Sequence, residues 1–401
     1  MIKIHRRCNL KCEPYCYMFF LKDQSWRDLP KAMTVKTART TIKRIVEYVR
    51  EHQLSATSIV LHGGEPLLAS MAIFRLFASI RSMLPGVLVD ISVQTNATML
   101  TEAIAEEFFR LGITVGVSLD GDEAFNGMRL YHNGRSSHAD VLRGLNILRK
   151  PRYKGLLDAI LSYTQFNRDP ATWLDYMSQF GVPIDPLRPL GNWDEPPPGI
   201  VTVEDGYNPY GDWYSRLFDH WVEQKMQPRI LIFEKIIQHI AGYALDFELA
   251  WFENIEMIGP WIMGAIAVDV DGSYALPDWY KSVEQGEDSL FGLNVFDDKA
   301  TRALYWILRM TDERGIPEGA SECQSCDIFS ICGGGLPSER AKLLPDGSIG
   351  YRNRSVYCGD LYDLVLHIMK RLNEAPEDSF LRVEFRDLLR RSQQKLQAAR
   401  V

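Results

Sequence analysis

The chain has 401 residues, of which 46% are hydrophobic and 24% are charged, so it can form one large domain or two. Its net charge of −7 and the absence of a basic run argue against a nucleic-acid substrate. The longest apolar stretch, residues 257–268, is too short to cross a bilayer, and no secretory signal precedes the first cysteines, so we expect a cytoplasmic protein without a membrane partner.

The first half of the chain alternates short apolar runs with amphipathic stretches. The predicted strands are residues 2–5, 57–62, 87–94, 113–119 and 156–163. The predicted helices are residues 35–51, 71–83, 103–111, 138–148 and 170–180. Strands that alternate with helices of about this length form βαβ units and a parallel sheet. The expected fold class is therefore α/β, with ligands at the carboxyl ends of the strands.

The pattern changes after Gly191, where a proline-rich segment, residues 192–199, is typical of a linker. Residues 210–245 are predicted to be helical, residues 261–357 are rich in glycine and turns, and a charged helix is predicted at 362–399. The predicted domain organisation is a first domain at 1–190, a bridging helical region at 191–260, a cysteine-bearing domain at 261–360 and a terminal helix at 361–401.

The seven cysteines fall into two groups at opposite ends of the chain. An odd number of cysteines, clustered at close spacing in a long chain without a signal peptide, indicates metal thiolates rather than disulfides. The members of the groups are Cys8, Cys12 and Cys16, then Cys323, Cys326, Cys332 and Cys358.

The first group offers three thiolates, which can bind three irons of a cubane cluster and leave the fourth iron open to another ligand. A zinc site with His5 as the fourth ligand is the alternative. The second group offers four thiolates, which suffice for one closed [4Fe–4S] cluster and not for two. A structural zinc knuckle fits the same four thiolates.

The run from Cys8 to Cys16 resembles the signature of radical S-adenosylmethionine (SAM) enzymes, which is normally C-x3-C-x2-C with an aromatic residue before the last cysteine. Tyr15 provides that aromatic residue, but the second gap has three residues instead of two. Because proline forces an extended conformation on the residue before it, Glu13-Pro14 can accommodate the extra residue as a small loop. The resemblance implies that the first group binds a [4Fe–4S] cluster whose open iron chelates SAM.

Three further segments resemble the SAM-binding elements of this superfamily. Gly63-Gly64-Glu65-Pro66 matches the GGEP element, which receives the SAM amino group, although a plain strand-to-helix turn is the alternative. By the same resemblance, Gln94 and Asn96 contact the ribose, and Ser118 and Arg135 contact the carboxylate. An arginine suits a carboxylate because its planar fork can bond both oxygens.

The late cysteines resemble the SPASM extension of radical SAM peptide maturases, through Cys332-Gly333-Gly334-Gly335 and Tyr357-Cys358-Gly359-Asp360. That extension usually carries two auxiliary clusters, whereas four cysteines here allow one. The resemblance implies a partial (β/α)6 TIM-type barrel with a C-terminal SPASM-like extension that holds the auxiliary cluster.

Several longer segments are similar to FxsB-type maturases, which act on ribosomally made peptides. They are residues 23–28, 191–194, 209–213, 232–237, 292–296 and 355–358, although each aromatic segment also fits plain core packing. The resemblance implies a precursor-peptide substrate, a ferredoxin- or flavodoxin-type electron donor, and a carbon–carbon cross-link (cyclophane) between a side chain and an aromatic ring. Asp120 is a candidate base only because it ends a predicted strand.

Two other classes of function stay open. A radical SAM enzyme with a different product, such as a thioether, an ether or a sulfatase-type oxidation, would share the same core. A non-catalytic iron–sulfur or zinc protein would keep the cysteines but would not need the GGEP segment or the polar strand ends.

Overall fold

The structure is a computed structural model that describes residues 1–200, 207–241, 266–283, 289–316 and 318–398. The chain divides into two compact units. Unit 1 comprises Met1–Leu161 and Met263–Glu313, and unit 2 comprises Ser162–Ile262 and Arg314–Val401. The four segments expected from the sequence divide the chain at other positions and stay a prediction.

The strands confirm the expected α/β class. They are β1 (Ile2–His5), β2 (Leu10–Lys11), β3 (Ala56–Gly63), β4 (Leu88–Thr95), β5 (Thr114–Ser118), β6 (Leu130–Tyr131), β7 (Leu157–Tyr163), β8 (Ile184–Leu187), β9 (Ala267–Val268), β10 (Ser273–Ala275), β11 (Ser289–Asn294), β12 (Lys342–Leu343) and β13 (Ile349–Gly350). In unit 1 the sheet order is β11-β10-β9-β1-β3-β4-β5-β7. Strands β9, β1, β3, β4, β5 and β7 are parallel, and β10 is antiparallel to both of its neighbours.

The helices are α1 (Val35–Glu51), α2 (Met71–Ala78), α3 (Ile80–Met83), α4 (Glu102–Leu111), α5 (His138–Leu148), α6 (Pro170–Ser178), α7 (Pro209–Glu223), α8 (Leu231–Ile240), α9 (Ala300–Glu313), α10 (Phe329–Cys332), α11 (Pro337–Arg340), α12 (Cys358–Glu374) and α13 (Phe380–Ala398). Local sequence sets their ends. Thr34 caps α1 by accepting the backbone N–H of Thr37, and Thr101 caps α4 in the same way. Gly112 ends α4 because its φ of 63° suits glycine.

The structure differs from the predicted elements at several places. The helix expected at 71–83 is divided into α2 and α3, and the one expected at 362–399 is divided into α12 and α13. The helix expected at 210–245 consists of α7 and α8, while its end lies outside the described residues. Strand β8 and helix α9 were not predicted, and α9 lies within residues 261–357, which are rich in glycine and turns.

Burial follows the expected periodicities. In β3 every second residue is buried, including Ile59 and Leu61, so one face of this strand packs in the core. Unit 2 has an aromatic core in which Trp173 and Trp213 meet edge to face with ring centroids 5.6 Å apart. Such pairs add about 0.5–1.5 kcal/mol beyond the burial of their area. Among the described residues, no helix combines the length and the apolar character needed to span a membrane.

Candidate functional site

The three early cysteines lie on the loop that follows β1. Strand β2, within this loop, pairs with β6, and a helical turn brings the backbone N–H of Cys16 to the Cys12 carbonyl at 3.0 Å. Cys12 is buried, while Cys8 and Cys16 are half-buried. Burial raises the pKa of all three thiols, that of Cys12 to about 12. Cationic iron would reverse this preference for the neutral thiol.

These thiols fit the donor set of an iron–sulfur cluster. They are soft ligands, and all three belong to the short loop that follows β1. In the part of the chain that the structure describes, no three His, Cys, Asp or Glu side chains converge on a point that a metal ion would occupy.

Asn96, one of the predicted SAM contacts, connects the end of β4 to the cysteine loop. Its Nδ2 donates to Asn9 Oδ1 at 3.0 Å and to Cys8 Sγ at 3.7 Å. Asn9 in turn donates to Thr98 Oγ1 at 2.8 Å. Because these amides join the loop to the sheet, Cys8 is held at the carboxyl end of β4.

The predicted GGEP segment packs directly against the start of the cysteine loop. The Gly64 N–H donates to the His5 carbonyl at 2.8 Å, and the Glu65 N–H donates to the Arg7 carbonyl at 2.9 Å. A Cβ on Gly64 would lie 2.6 Å from the Arg7 carbonyl oxygen, and one on Gly63 would lie 2.1 Å from that of His5. The two glycines therefore permit a close backbone approach that no other residue allows. Pro66 is buried and begins the 3-10 helix Pro66–Leu68.

The Glu65 carboxylate is almost fully buried and accepts three hydrogen bonds. Its Oε1 accepts from the Leu67 N–H at 2.9 Å and from Thr95 Oγ1 at 2.6 Å, and its Oε2 accepts from the Asn96 N–H at 2.9 Å. Burial raises the pKa of Glu65, although these bonds oppose the shift. Glu65 thus fixes the end of β4, and its role towards SAM stays a prediction.

Two other predicted SAM contacts lie side by side on neighbouring strands. Gln94 Nε2 donates to Ser118 Oγ at 2.9 Å. A side chain at Gly116 would collide with Gln94, since its Cβ would lie 2.2 Å from Gln94 Oε1. The structure therefore brings Gln94 and Ser118 together at the carboxyl ends of β4 and β5.

Tyr15 and the buried Asp120 meet in a polar cluster whose third member, Arg129, sequence reasoning missed. Tyr15 Oη donates to Asp120 Oδ2 at 2.6 Å. Arg129 binds both carboxylate oxygens, with Nε–Oδ2 at 2.9 Å and Nη2–Oδ1 at 2.8 Å. Both oxygens of the candidate base are thus engaged, and its part in proton transfer stays a prediction. No local motif marks Arg129, because only the folded structure shows that it contacts Tyr15 and Asp120.

Arg135, the predicted ligand of the SAM carboxylate, is 58% exposed. It pairs with Asp140 at 2.9 Å and lies 4.2 Å from the centroid of the Tyr131 ring. Tyr131 belongs to β6, which pairs with β2, so Arg135 is linked to the cysteine loop through this short sheet.

A second buried polar cluster near the cysteine loop was also missed. Lys3 of β1 pairs with Asp278 and lies 3.8 Å from Asp269. Tyr17, next to Cys16, places its hydroxyl 3.1 Å from His62 Nδ1. The only sequence signal was Lys3 itself, a cation between two apolar residues of a predicted strand.

The late cysteines occupy unit 2. Cys323 lies in the 3-10 helix Ser321–Ser325, Cys332 ends α10 and Cys358 begins α12. Gly333 to Gly335 have φ values of 58°, 81° and 75°, and the Gly334 N–H donates to Cys332 Sγ at 3.4 Å. The pKa of Cys332 is raised to about 11, mainly by burial. The hydrogen bond from Gly334 lowers this pKa, and the charges of Cys326, Cys358 and Cys323 raise it further. Cys326 lies next to Cys323, since its N–H donates to the Cys323 carbonyl at 3.1 Å.

Glu339 connects the two segments that carry these cysteines. Its carboxylate accepts from the Leu336 N–H at 3.0 Å, from Ser355 Oγ at 2.7 Å and from Arg188 Nη2 at 2.8 Å. Leu336 follows Cys332 closely, and Ser355 precedes Cys358. This buried carboxylate thus holds the glycine run against the start of α12.

Comparisons with known proteins agree with this arrangement. Residues 2–170 match the model of the Radical SAM superfamily. An uncharacterized protein of Methanocaldococcus jannaschii is 34% identical over 149 residues, which are 37% of this chain and 48% of that protein. A serine-type anaerobic sulfatase-maturating enzyme of Klebsiella pneumoniae is 32% identical over 354 residues, which are 82% of this chain and 79% of that enzyme.

Solved structures share the fold. Native anSMEcpe with bound AdoMet and Cp18Cys peptide aligns with a TM-score of 0.72 and 20% identity, over 92% of this chain and 96% of that one. Streptococcus suis SuiB bound to precursor peptide SuiA aligns with a TM-score of 0.53 and 14% identity, over 89% and 75% of the two chains. The chain therefore belongs to the Radical SAM superfamily and is a relative of the anaerobic sulfatase-maturating enzymes.

Proposed function

We propose that this chain is a radical SAM maturase that joins a side-chain carbon of a ribosomally made precursor peptide to an aromatic ring of the same peptide. The observation that carries the proposal is the meeting of the Cys8–Cys16 loop with the ends of β3, β4 and β5. There the Asn96 N–H donates to Glu65, and the Asn96 side chain donates to Cys8 on the loop. On the neighbouring strands, Gln94 donates to Ser118.

Cys8, Cys12 and Cys16 would hold the first [4Fe–4S] cluster, and the strand-end residues would hold SAM. Together, when bound, they would supply a radical that removes a hydrogen atom from the peptide. The protein contributes position. Asn96 and Asn9 hold the loop at Cys8, and Gly63 and Gly64 allow the backbone of the GGEP segment to approach that of His5 and Arg7 closely. The buried surroundings exclude water.

Two findings support a peptide substrate. The anSMEcpe structure contains a bound peptide, and SuiB is bound to a precursor peptide. The resemblance of residues 23–28, 191–194 and 209–213 to FxsB-type maturases favours the cross-link. Cys323, Cys326, Cys332 and Cys358 would hold a second cluster, which would accept the electron that leaves when the ring becomes aromatic again, while the proton from the same ring carbon passes to water.

A second candidate is a sulfatase-type oxidation, since relatives of that name align over most of the chain. The two products have the same mass change, so their fragmentation in tandem mass spectrometry and their reactivity towards a carbonyl probe distinguish them. A cross-linked peptide is lighter by two hydrogens and resists fragmentation between the joined residues. An oxidised serine also loses two hydrogens, but it carries a carbonyl group that a hydrazide probe captures.

The test uses anaerobically reconstituted protein, SAM and a strong reductant. The substrates are an aromatic-rich peptide encoded beside the gene and a serine-containing sulfatase peptide. We expect 5′-deoxyadenosine and a hydrazide-unreactive product of the first peptide. Failure to cleave SAM would contradict the radical assignment, and a carbonyl product would support the second candidate.

The variant Cys326→Ala tests whether the two cysteine groups have separate roles, the first in SAM cleavage and the second in completing the cross-link. It should keep SAM cleavage but lose cross-linked peptide, and circular dichroism should show that it is folded. Normal product from a folded variant without the second cluster would contradict the electron-acceptor role.

A further inference from the structure

The cysteine loop has a basic surface, although the chain as a whole is acidic. Residues 6–31, which follow β1 and include the three cysteines, contain six arginines and lysines and three acidic residues. Arg6 and Asp23 are buried in ion pairs, which leaves five cations and two carboxylates at or near the surface of this segment. The whole chain carries a net charge of −7. The loop therefore presents local positive charge to a partner that approaches it.

Two of the exposed cations lie over aromatic rings of the same loop. Lys11 Nζ lies 6.0 Å from the centroid of the Phe20 ring, and the guanidinium of Arg27 lies 5.4 Å from that of Trp26. Phe19 meets Trp26 edge to face, with ring centroids 5.0 Å apart. We call these five residues the loop face. A cation over a ring keeps its charge, so the loop face combines exposed positive charge with half-buried aromatic rings.

Hydrogen bonds hold the loop face beside the cysteines. The N–H groups of Phe19 and Phe20 donate to the Cys16 carbonyl at 3.1 and 2.9 Å. The Gln24 side chain accepts from Trp26 Nε1 at 3.1 Å and donates to the Phe19 carbonyl at 3.2 Å. Cys16 itself is half-buried. The loop face thus adjoins a predicted cluster ligand that is partly open to solvent.

This combination of charge and rings fits an acidic electron-transfer protein. Ferredoxins and flavodoxins have strongly negative surfaces, so the net charge of this chain would repel them if it offered no local basic surface. Basic side chains at the point of contact steer such a donor and fix its orientation. Arginine, tryptophan and phenylalanine are also enriched at the centres of protein interfaces. Because electron transfer slows steeply with distance, a donor must approach where the loop that binds the cluster reaches the surface.

We propose that the loop face is the docking surface for an acidic electron donor of the ferredoxin or flavodoxin type. The inference rests on the proposed function, since it presumes the cluster held by Cys8, Cys12 and Cys16. In the transfer, the hydroquinone of a flavodoxin loses one electron and becomes a semiquinone, and the cluster gains that electron. No proton moves and no covalent bond forms or breaks. The complex is transient, as is usual for the small interfaces of redox partners.

The experiment compares variants of the full chain, reconstituted anaerobically with iron and sulfide. Arg27→Glu reverses one charge of the loop face, and the double variant Lys11→Gln with Arg27→Gln removes two, so both change the net charge by two units. The control, Lys43→Gln with Arg110→Gln, removes two cations from α1 and α4. It is matched because Lys43 and Lys11 each pair with a nearby glutamate, while Arg110 and Arg27 are both exposed.

The first measurement is the rate of cluster reduction, followed by visible absorbance, with reduced flavodoxin and with photoreduced deazariboflavin, a small uncharged reductant. The second is the affinity for oxidised flavodoxin, by biolayer interferometry. At an ionic strength of about 0.01 M, where the Debye length is about 30 Å, the ratio of the flavodoxin rate to the deazariboflavin rate should fall about tenfold in both loop-face variants, and the affinity should fall with it. Near 1 M salt, where the Debye length is about 3 Å, the difference should shrink to within about twofold. The control should stay within about twofold of the unmodified protein throughout.

An unchanged ratio in both loop-face variants, or an equal fall in the control, would overturn the inference. Loss of iron from both variants would also overturn it and would assign the loop face to building the loop. A lower affinity for the aromatic-rich peptide with an unchanged flavodoxin rate would overturn it in favour of a substrate surface. Absence of iron from the unmodified protein, or intact SAM after treatment with deazariboflavin, would instead contradict the proposed function.

Discussion

The buried ion pair between Lys3 and Asp278 offers a sharp test of how the sheet is held beside the cysteine loop. Lys3 lies on β1, where it pairs in register with His62, and its side chain is fully buried. Lys3→Met keeps the length of the side chain and removes the charge. We expect a large loss of stability, because the variant leaves Asp278 buried without its main cation.

The size of the loss follows from two estimates. Burial would raise the pKa of Asp278, but Lys3, Lys281 and His62 lower it from 3.8 to about 2. A shift of that size corresponds to about 2.5 kcal/mol, at 1.36 kcal/mol per pKa unit. Removal of one partner from a buried pair typically costs about 3–5 kcal/mol. We therefore expect Lys3→Met to lower the free energy of unfolding at pH 7 by about 3 kcal/mol.

The pH dependence has a definite sign. The pKa of Asp278 is depressed in the folded state, so its stabilising contribution is present above the unfolded pKa of about 4. The contribution is lost as the pH falls through about 2. In the unmodified protein this contribution to stability should therefore be constant above about pH 4 and shrink below it.

The assay is urea unfolding under anaerobic conditions, followed by tryptophan fluorescence. A second variant, Lys3→Met with Asp278→Asn, removes both charges and should recover at least half of the loss. Lys150→Met is the surface control, since its pair with Glu102 is exposed and screened by water, so this variant should unfold at nearly the same urea concentration as the unmodified protein. If Lys3→Met costs less than the surface control, or if the double variant is no better than the single one, the electrostatic reasoning is wrong.

Three further predictions concern single residues. Glu65→Gln replaces an acceptor with an amide NH₂ that faces a donor, so urea unfolding should show a loss of about 1–3 kcal/mol. Gly64→Ala should reduce the iron bound by the first cysteine group, whereas Gly127→Ala, where nothing lies within 4 Å of the added Cβ, should not. Burial raises the pKa of Asp360 to about 6, so its ionised form is disfavoured, and stability should fall as the pH rises from about 4 to 6. Asp360→Asn should remove this dependence in thermal unfolding, and a persisting slope would contradict the assignment.

The elements that the sequence predicted well are those with a local signal. Strand β3 alternates buried and half-buried residues, and α5 begins and ends where its apolar spacing places it, at His138 and Leu148. The prediction of one long helix was wrong where the helix is interrupted, as at Ser79, which separates α2 from α3. Helix α9 was not predicted because the glycines and prolines around it are typical of a turn-rich region.

The residues of the candidate site likewise divide into those that a local sequence signal identifies and those that it does not. Cys8, Gly64 and Asn96 could be named from motifs, since each motif is a short run of sequence. Arg129 and the Lys3–Asp278 pair could not, because no sequence motif connects them to their partners and only the fold shows the pairing. Physical chemistry required that any buried cation have a partner, but it did not identify which residue that partner was.

The two buried glutamates near the cysteines differ in a way that bears on SAM binding. Glu339 accepts a hydrogen bond from the cation Arg188, which compensates its charge. The three groups that donate to Glu65 are neutral, and burial raises its pKa. A buried carboxylate that has only neutral donors gains more from an approaching cation than a carboxylate that is already paired with an arginine. The ammonium group of SAM is such a cation, so the electrostatics of Glu65 favour the role predicted for the GGEP segment, in addition to its structural bonds to β4.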